Sequence, residues 1–260
     1  MVIEVSQASD ARVYNFLLGG SDYYESDRQA TRRLAAYAPT IRPLARISRQ
    51  FLLRAVRYLA LEHGVSQFLD HGVGLPIGDS VHQIARRVNK SCRVAYIDND
   101  PMVVAHARMM LADEHTLVLD ADMMDTSLIL SRCEQNDFLH REVPVGVLFV
   151  SSLHCVADER DPWRHIRDLM DVLPSGSSLV LSHLTARDAA IREEVSSVMS
   201  ELTGRSWVVR SPAEIDRFFE GLVPVGGSVG DVTQWKPGPS PKLKLADLTW
   251  LVYGGVARKP

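Results

Sequence analysis

Apolar positions recur along this chain with two different periods. In the first quarter the spacing is helical. Ile47, Phe51, Ala55 and Leu59 return every four residues within a stretch from Pro43 to Glu62, which predicts one long amphipathic helix. Two helices are predicted ahead of it. One starts at Ser9 or Asp10 and runs to Leu18, where Gly19-Gly20 ends it, and the other covers about Asp27 to Ala38. From Gln67 the pattern changes to short apolar runs: Phe68-Leu69, Arg93–Ile97, Thr116–Leu119, Val145–Val150 and Ser178–His183. Helix-compatible stretches opening at Asp79, Asp100-Pro101 and Asp161-Pro162 separate them. Alternation of this kind predicts an α/β fold with a mainly parallel sheet covered on both faces. The last third is less regular. It reads as a helix over Ala186 to Leu202, a shorter one from Ser211-Pro212 to about Phe219, one strand within Val223–Trp235, a loop at Gly238-Pro239-Ser240-Pro241 and a final strand over Leu248–Ala257. The expected organisation is a helical cap or lid over residues 1–64 ahead of a sheet domain over 65–260.

The first strand delivers the main chemical signal. It ends at Asp70, and His71-Gly72-Val73-Gly74-Leu75-Pro76-Ile77-Gly78 follows, with three glycines in seven residues. Glycine lets a backbone reach φ > 0 and approach a ligand closely. The spacing is G-x-G-x-x-x-G with Pro76 inside, which differs from the dinucleotide fingerprint. The second strand ends at Asp98, 24 residues past Gly74, where a ribose-binding carboxylate is expected, with Asn99 next to it. The third runs into Asp120-Ala121-Asp122-Met123, an acidic and apolar pair suited to an adenine amino group and ring face. A glycine turn, an acid after strand two and an acid after strand three form the order of a class I S-adenosylmethionine (SAM) site. Strand four delivers Ser151-Ser152-Leu153-His154-Cys155 to the same sheet edge.

Composition narrows the partners. A hydrophobic content of 46% supports a full core, and no apolar run approaches the length of a membrane span. The N-terminus is too polar for a signal peptide. Cys92, Cys133 and Cys155 have neither pairing nor metal-ligand spacing, which fits a reducing cytoplasm, and the nine histidines show no metal-ligand spacing either. The net charge of −3 argues against a nucleic-acid platform, although residues 1–60 hold nine arginines, no lysine and five acids. That excess suits an acidic partner or a phosphate, or else a solvated helix surface packed on the acidic remainder.

Longer motifs carry a resemblance over essentially the whole chain. They are Ala11–Gly20 with Asp22 and Asp27-Arg28, Phe51–Leu59, the Asp70-to-Pro76 loop, Tyr96–Pro101, Leu153-His154 and the tail Gly255–Pro260. With these the chain resembles a family of actinobacterial-type SAM-dependent methyltransferases long known as a domain of unknown function. The resemblance implies a Rossmann-like class I methyltransferase sheet with an antiparallel last strand, and a helical segment folded over the cofactor. It implies that Gly72 and Gly74 face the methionine part of SAM, Asp98 the ribose, and Asp122 with Met123 the adenine. Arg12, Tyr14, Gly19 and Gly20 would form part of the lid. His71 and Val73 depart from the family's usual Asp-Ile-Gly-Thr-Gly-Leu-Pro loop, as do Ser21–Tyr24 and Ser151-Ser152 from its usual residues, all where the reacting end of SAM is expected.

Three readings of the activity follow. In the first, the protein transfers SAM's methyl group to a small molecule, as in secondary metabolism, with His154 as the candidate base or else a hydrogen-bonded structural histidine. In the second, SAM is the sole substrate: its α-amine attacks its own γ-carbon, expelling methylthioadenosine and forming azetidine-2-carboxylate. There Tyr14, Tyr23 and Tyr24 offer aromatic faces to the sulfonium, and Asp22, His71, Ser152 or a tyrosine hydroxyl is the proton acceptor. The third is a SAM-binding protein without catalysis. No nucleic-acid, membrane or metal partner is expected, and the sequence does not reveal an oligomeric state.

Overall fold

A computed structural model describes residues 4–236 and 249–260. The loop expected at 238–241 and the first residue of the expected last strand, Leu248, lie outside the described residues.

Three helices open the chain: α1 (Asp10–Leu18), α2 (Glu25–Tyr37) and α3 (Ile41–Glu62). Then come β1 (Gln67–His71), α4 (Val81–Val88), β2 (Arg93–Asp98), α5 (Pro101–Met110), β3 (Thr116–Asp120), α6 (Thr126–Gln135), β4 (Val145–Val150), α7 (Pro162–Val172) and β5 (Ser178–Ala186). The remainder is α8 (Ala189–Thr203), α9 (Pro212–Asp216), β6 (Val223–Pro224), β7 (Gly230–Asp231) and β8 (Trp250–Arg258). The sheet runs β3-β2-β1-β4-β5-β8-β6, with β7 also on β8. The first five strands pair in parallel, and β8 is antiparallel to β5 over its whole length, Ser178 opposite Arg258 through Ala186 opposite Trp250. This is the expected Rossmann-like sheet with an antiparallel last strand. Its order reverses between β1 and β4, and ligands of open α/β sheets bind beyond the carboxyl ends of the strands at such a point.

The two faces of the sheet bury separate cores. One joins Leu69, Ile97, Val147, Phe149 and Leu181 to α6 and α7. The other joins Phe68, Tyr96, Leu148, Val180 and Val252 to Leu17, Leu34, Phe51, Ala55 and Leu59. The boundary expected at residue 64 thus separates α3 from β1 along the chain, while a single core runs through it. Among the described residues no helix is long and apolar enough to cross a membrane.

Local chemistry explains where element ends differ from expectation. Asp188 accepts hydrogen bonds from the Ala190 and Ile191 amides, so α8 starts three residues late and β5 extends to Ala186. In place of one strand, Val223–Trp235 holds β6 and β7, each of two residues. The sequence pattern did not predict α6, which buries only Ile129 and Cys133. Of the nine N-terminal arginines, Arg12, Arg28, Arg32 and Arg33 pair with acids of the same chain. Arg42, Arg49 and Arg54 donate to backbone carbonyls.

Candidate functional site

A cavity of about 310 Å³ lies at the carboxyl edge of the sheet, where β1, β2, β3 and β4 end. The glycine loop forms its floor. Gly72 has φ 73° and Gly74 φ 65°. A Cβ on Gly72 would lie 2.6 Å from the Cβ of Ser152, so both the backbone conformation and the space demand glycine. The amides of Gly72 and Val73 donate to the Ile97 carbonyl at 2.8 and 3.2 Å, which ties the loop to β2. Helix α4 begins only at Val81, so the glycines do not feed directly into a helix N-terminus. Arg49 on α3 fills the gap, donating to the carbonyls of Ile77 and Asp79.

Carboxylates mark the edge. Asp98 accepts from the Gly74 amide at 3.0 Å and from the Asp100 amide at 2.9 Å, with the Asn99 backbone as a further partner, and the carboxylate keeps acceptor capacity for a ligand. Burial pushes its pKa to about 6 against the pull of those hydrogen bonds. Asp70 is also buried; desolvation raises it to about 7, with Arg49 drawing it down and Asp98 adding to the rise. After β4, Ser151 sits at φ 58°, outside ordinary L-residue geometry, and its hydroxyl is 2.7 Å from that of Ser48 on α3. The buried Ser152 hydroxyl has no hydrogen-bond partner.

The N-terminal segment roofs this cavity. Arg12, almost fully buried, donates to Asp27 at 2.8 Å and to the carbonyls of Glu4 and Gln7. Asp27 also accepts from the amides of Ser9 and Tyr24. Ser9, one of the two caps expected for α1 with Asp10, takes the N-cap position but donates its hydroxyl to Asp100 at 2.9 Å, joining the roof to the loop after β2. Roof and floor are thus one hydrogen-bonded unit.

The structure brings together Arg12, Tyr14, Asp70, Gly72, Gly74, Asp98, Asn99, Met123, Ser151 and Ser152 around the cavity. Other expected site residues are elsewhere. Gly19 caps α1 and Gly20 packs on Asn15. Tyr23 packs on Phe16, and Tyr24 is over a third exposed at the start of α2, under the Arg12 guanidinium. Pro76 is not in the wall, and Asp122 pairs with Arg160 at 3.0 Å while its neighbour Met123 reaches the cavity. His154 accepts from the Leu184 amide at 2.9 Å through Nε2, stacks on Trp207 and has the Ser151 backbone as a further partner. Burial and Arg210 hold its pKa down to about 3, so the ring is neutral and both nitrogens are engaged. Of the two expectations for this position, a base or a hydrogen-bonded structural histidine, these contacts match the second. His71 is likewise buried and neutral, stacked on Phe149 with its pKa near about 3.

Sequence reasoning missed Asp10, Arg49 and Arg205 in the wall, where Cys155, expected at this sheet edge, also lies. Asp10 Oδ1 is shielded from solvent without a hydrogen-bond partner. Burial raises its pKa, opposed by Cys155, Arg205 and Trp207 alongside, and the Cys155 thiol is pushed well up by burial and by Asp10. No signal in the sequence marks these residues, since each reaches the cavity only through the packing of α1, α3 and the segment after α8.

Comparison with known proteins places this geometry. The family model described as S-adenosyl methyltransferase matches residues 1–260. A DUF574 family protein from Streptomyces avermitilis MA-4680 is 35% identical, with 98% of this chain and 99% of that one covered and a TM-score of 0.91. A candidate methyltransferase from Thermobifida fusca YX is 32% identical over 98% of this chain and 96% of its own, with a TM-score of 0.88. The plantazolicin methyltransferase BamL, solved with S-adenosylhomocysteine (SAH), shares the fold at 9% identity and a TM-score of 0.50, with 96% of each chain covered. None of the curated proteins matches the chain.

Proposed function

The chain belongs to the S-adenosyl methyltransferase family and is a SAM-dependent transferase, and from that premise we propose that it methylates a small molecule enclosed beneath its N-terminal helices. The observation that carries the proposal is the closed roof: Arg12, Asp27, Ser9 and Asp100 lock the segment before α1 onto the sheet edge. A covered site suits a small acceptor better than an open basic groove for a polymer does.

The residues present fit SAM. Gly72 must lack a side chain, Asp98 keeps acceptor capacity, and the Ser152 hydroxyl is buried in the wall without a partner. In this reading Asp98 and Asn99 take the ribose, Met123 the adenine face, and Asp70 the amino group, while Gly72 and Gly74 admit the backbone-close methionine portion. SAM supplies a methyl group activated on a sulfonium. Residues of the chain position that group, exclude water and accept the acceptor's proton, with proximity and desolvation giving much of the rate.

With Tyr23 and Tyr24 outside the cavity, only Tyr14 remains of the aromatic set invoked for SAM cyclisation. The test is product analysis by mass spectrometry. Formation of SAH that depends on an added small-molecule extract supports the proposal. Methylthioadenosine with a matching amount of azetidine-2-carboxylate from SAM alone overturns it in favour of cyclisation, and label from methyl-labelled SAM on protein or nucleic acid overturns the small-molecule acceptor.

A further inference from the structure

A second cavity, of about 80 Å³, lies behind the first. The two share Asp10, Tyr14, Ser151 and Cys155, so only these side chains divide the expected cofactor space from the inner chamber. Beyond that wall the lining is apolar, with Val13 and Leu17 from α1, Leu44 and Ala45 from α3, Leu184 from β5, and Trp207. Its titratable members are Asp10, Tyr14, Cys155 and His154. His154 is neutral with both ring nitrogens engaged, and among the described residues no arginine or lysine lines the chamber.

That charge pattern selects the occupant. An anionic group here would lie in an apolar pocket beside the Asp10 carboxyl, while the cation next to that carboxyl, Arg205, lines the first cavity rather than this one, and such burial is strongly unfavourable. The Cys155 thiol and the Trp207 indole lie beside the Asp10 carboxyl, but its buried Oδ1 has no partner in hydrogen-bond geometry and so has capacity for a further donor. A cavity needs about 10–15 Å³ to hold one water, so this chamber accommodates a molecule of several heavy atoms. We infer that the inner cavity is the acceptor chamber, and that it takes a small molecule with an apolar body, one protic nucleophile (an amine or a hydroxyl) and no anionic group, whose hydrogen is donated to Asp10. This rests on the methyl-transfer reading. Methylation of such a group breaks one N–H or O–H bond and one S–C bond and forms one N–C or O–C bond; the S–C electron pair stays on sulfur, and the proton passes to Asp10.

The test is binding, read by calorimetry on the full chain saturated with SAH. Isobutylamine, isobutanol and isobutyrate serve as probes that share an isopropyl body and differ in charge. The expected result is saturable binding of the amine or the alcohol, whichever the nucleophile class is, and none of isobutyrate. This selectivity needs no variant. Ala45→Met fills the chamber from α3 and is expected to weaken the bound probe about tenfold or more, as overpacking requires, while SAH binds as in the parent. Failure of the amine and the alcohol to bind the parent, equal binding of isobutyrate, or full probe affinity in an Ala45→Met protein that still binds SAH each overturns the assignment while leaving the methyltransferase reading standing. Failure of the parent to bind SAH overturns that reading itself, and this one with it.

Discussion

Replacing Asp70 by asparagine separates the stability of the free protein from its affinity for SAM. The carboxyl titrates at about 7 in the native protein against a reference value of 3.8, because it is buried at the end of β1 near Asp98. The native state therefore holds a proton that the unfolded chain has released. The favourable contribution is present in full below about pH 4 and is lost as pH rises through 7. A shift of about 3 pKa units corresponds to about 4 kcal/mol at pH 8, a cost that the neutral amide avoids. Integrating the two titrations gives an advantage of Asp70→Asn that grows by about 2–3 kcal/mol between pH 5 and pH 8. Urea unfolding of the SAM-free proteins at pH 5, 6, 7 and 8 measures it. SAH binding at pH 8 should move the other way, weakening about tenfold or more through loss of a charge-assisted hydrogen bond. A stability difference independent of pH, or an asparagine variant less stable than the parent at pH 8, refutes the reasoning, because either result means that the native carboxylate is not destabilised by its surroundings.

Three further outcomes follow from the same geometry. Gly72→Ala places a Cβ 2.6 Å from that of Ser152 at a residue with φ 73°; it should cost about 1–3 kcal/mol and abolish measurable SAH binding by calorimetry. Arg12→Ala leaves Asp27 buried without its cation and should destabilise by about 3–5 kcal/mol in urea unfolding, with the segment before α1 becoming the first site of proteolytic cleavage. The His154 ring nitrogens should show the shifts of one neutral tautomer, unchanged from pH 5 to pH 8 in ¹⁵N-edited NMR, since burial holds the pKa near about 3; titration near 6.5 would restore it as a candidate base.

Sequence and structure agree where function depends on a few adjacent residues. The turn from Asp70 to Gly74 needs positive φ at two glycines, and Asp98 caps that turn through the Gly74 amide, so both are readable from residue type and spacing. Agreement fails where the path of one helix past another decides which side chain faces inward. Tyr23 and Tyr24 follow α1 closely in sequence. The buried Arg12–Asp27 pair and the Tyr24–Asp27 capping contact fix the turn between α1 and α2 with both rings away from the cavity. The same packing brings Asp10 inward from the first turn of α1 and Arg49 across from α3, two charged residues that the sequence pattern assigned only to a cap position and to a helix surface. Ser9 shows the competition directly. Its hydroxyl is well suited to capping α1, yet it bonds Asp100 across the site, 91 residues away. A local preference worth about 1 kcal/mol is there given up for a contact that ties the roof to the loop after β2. The N-terminal helices are thus built into the cavity wall rather than laid over it, and substitutions that loosen the roof should also disturb the Asp98–Asp100 loop.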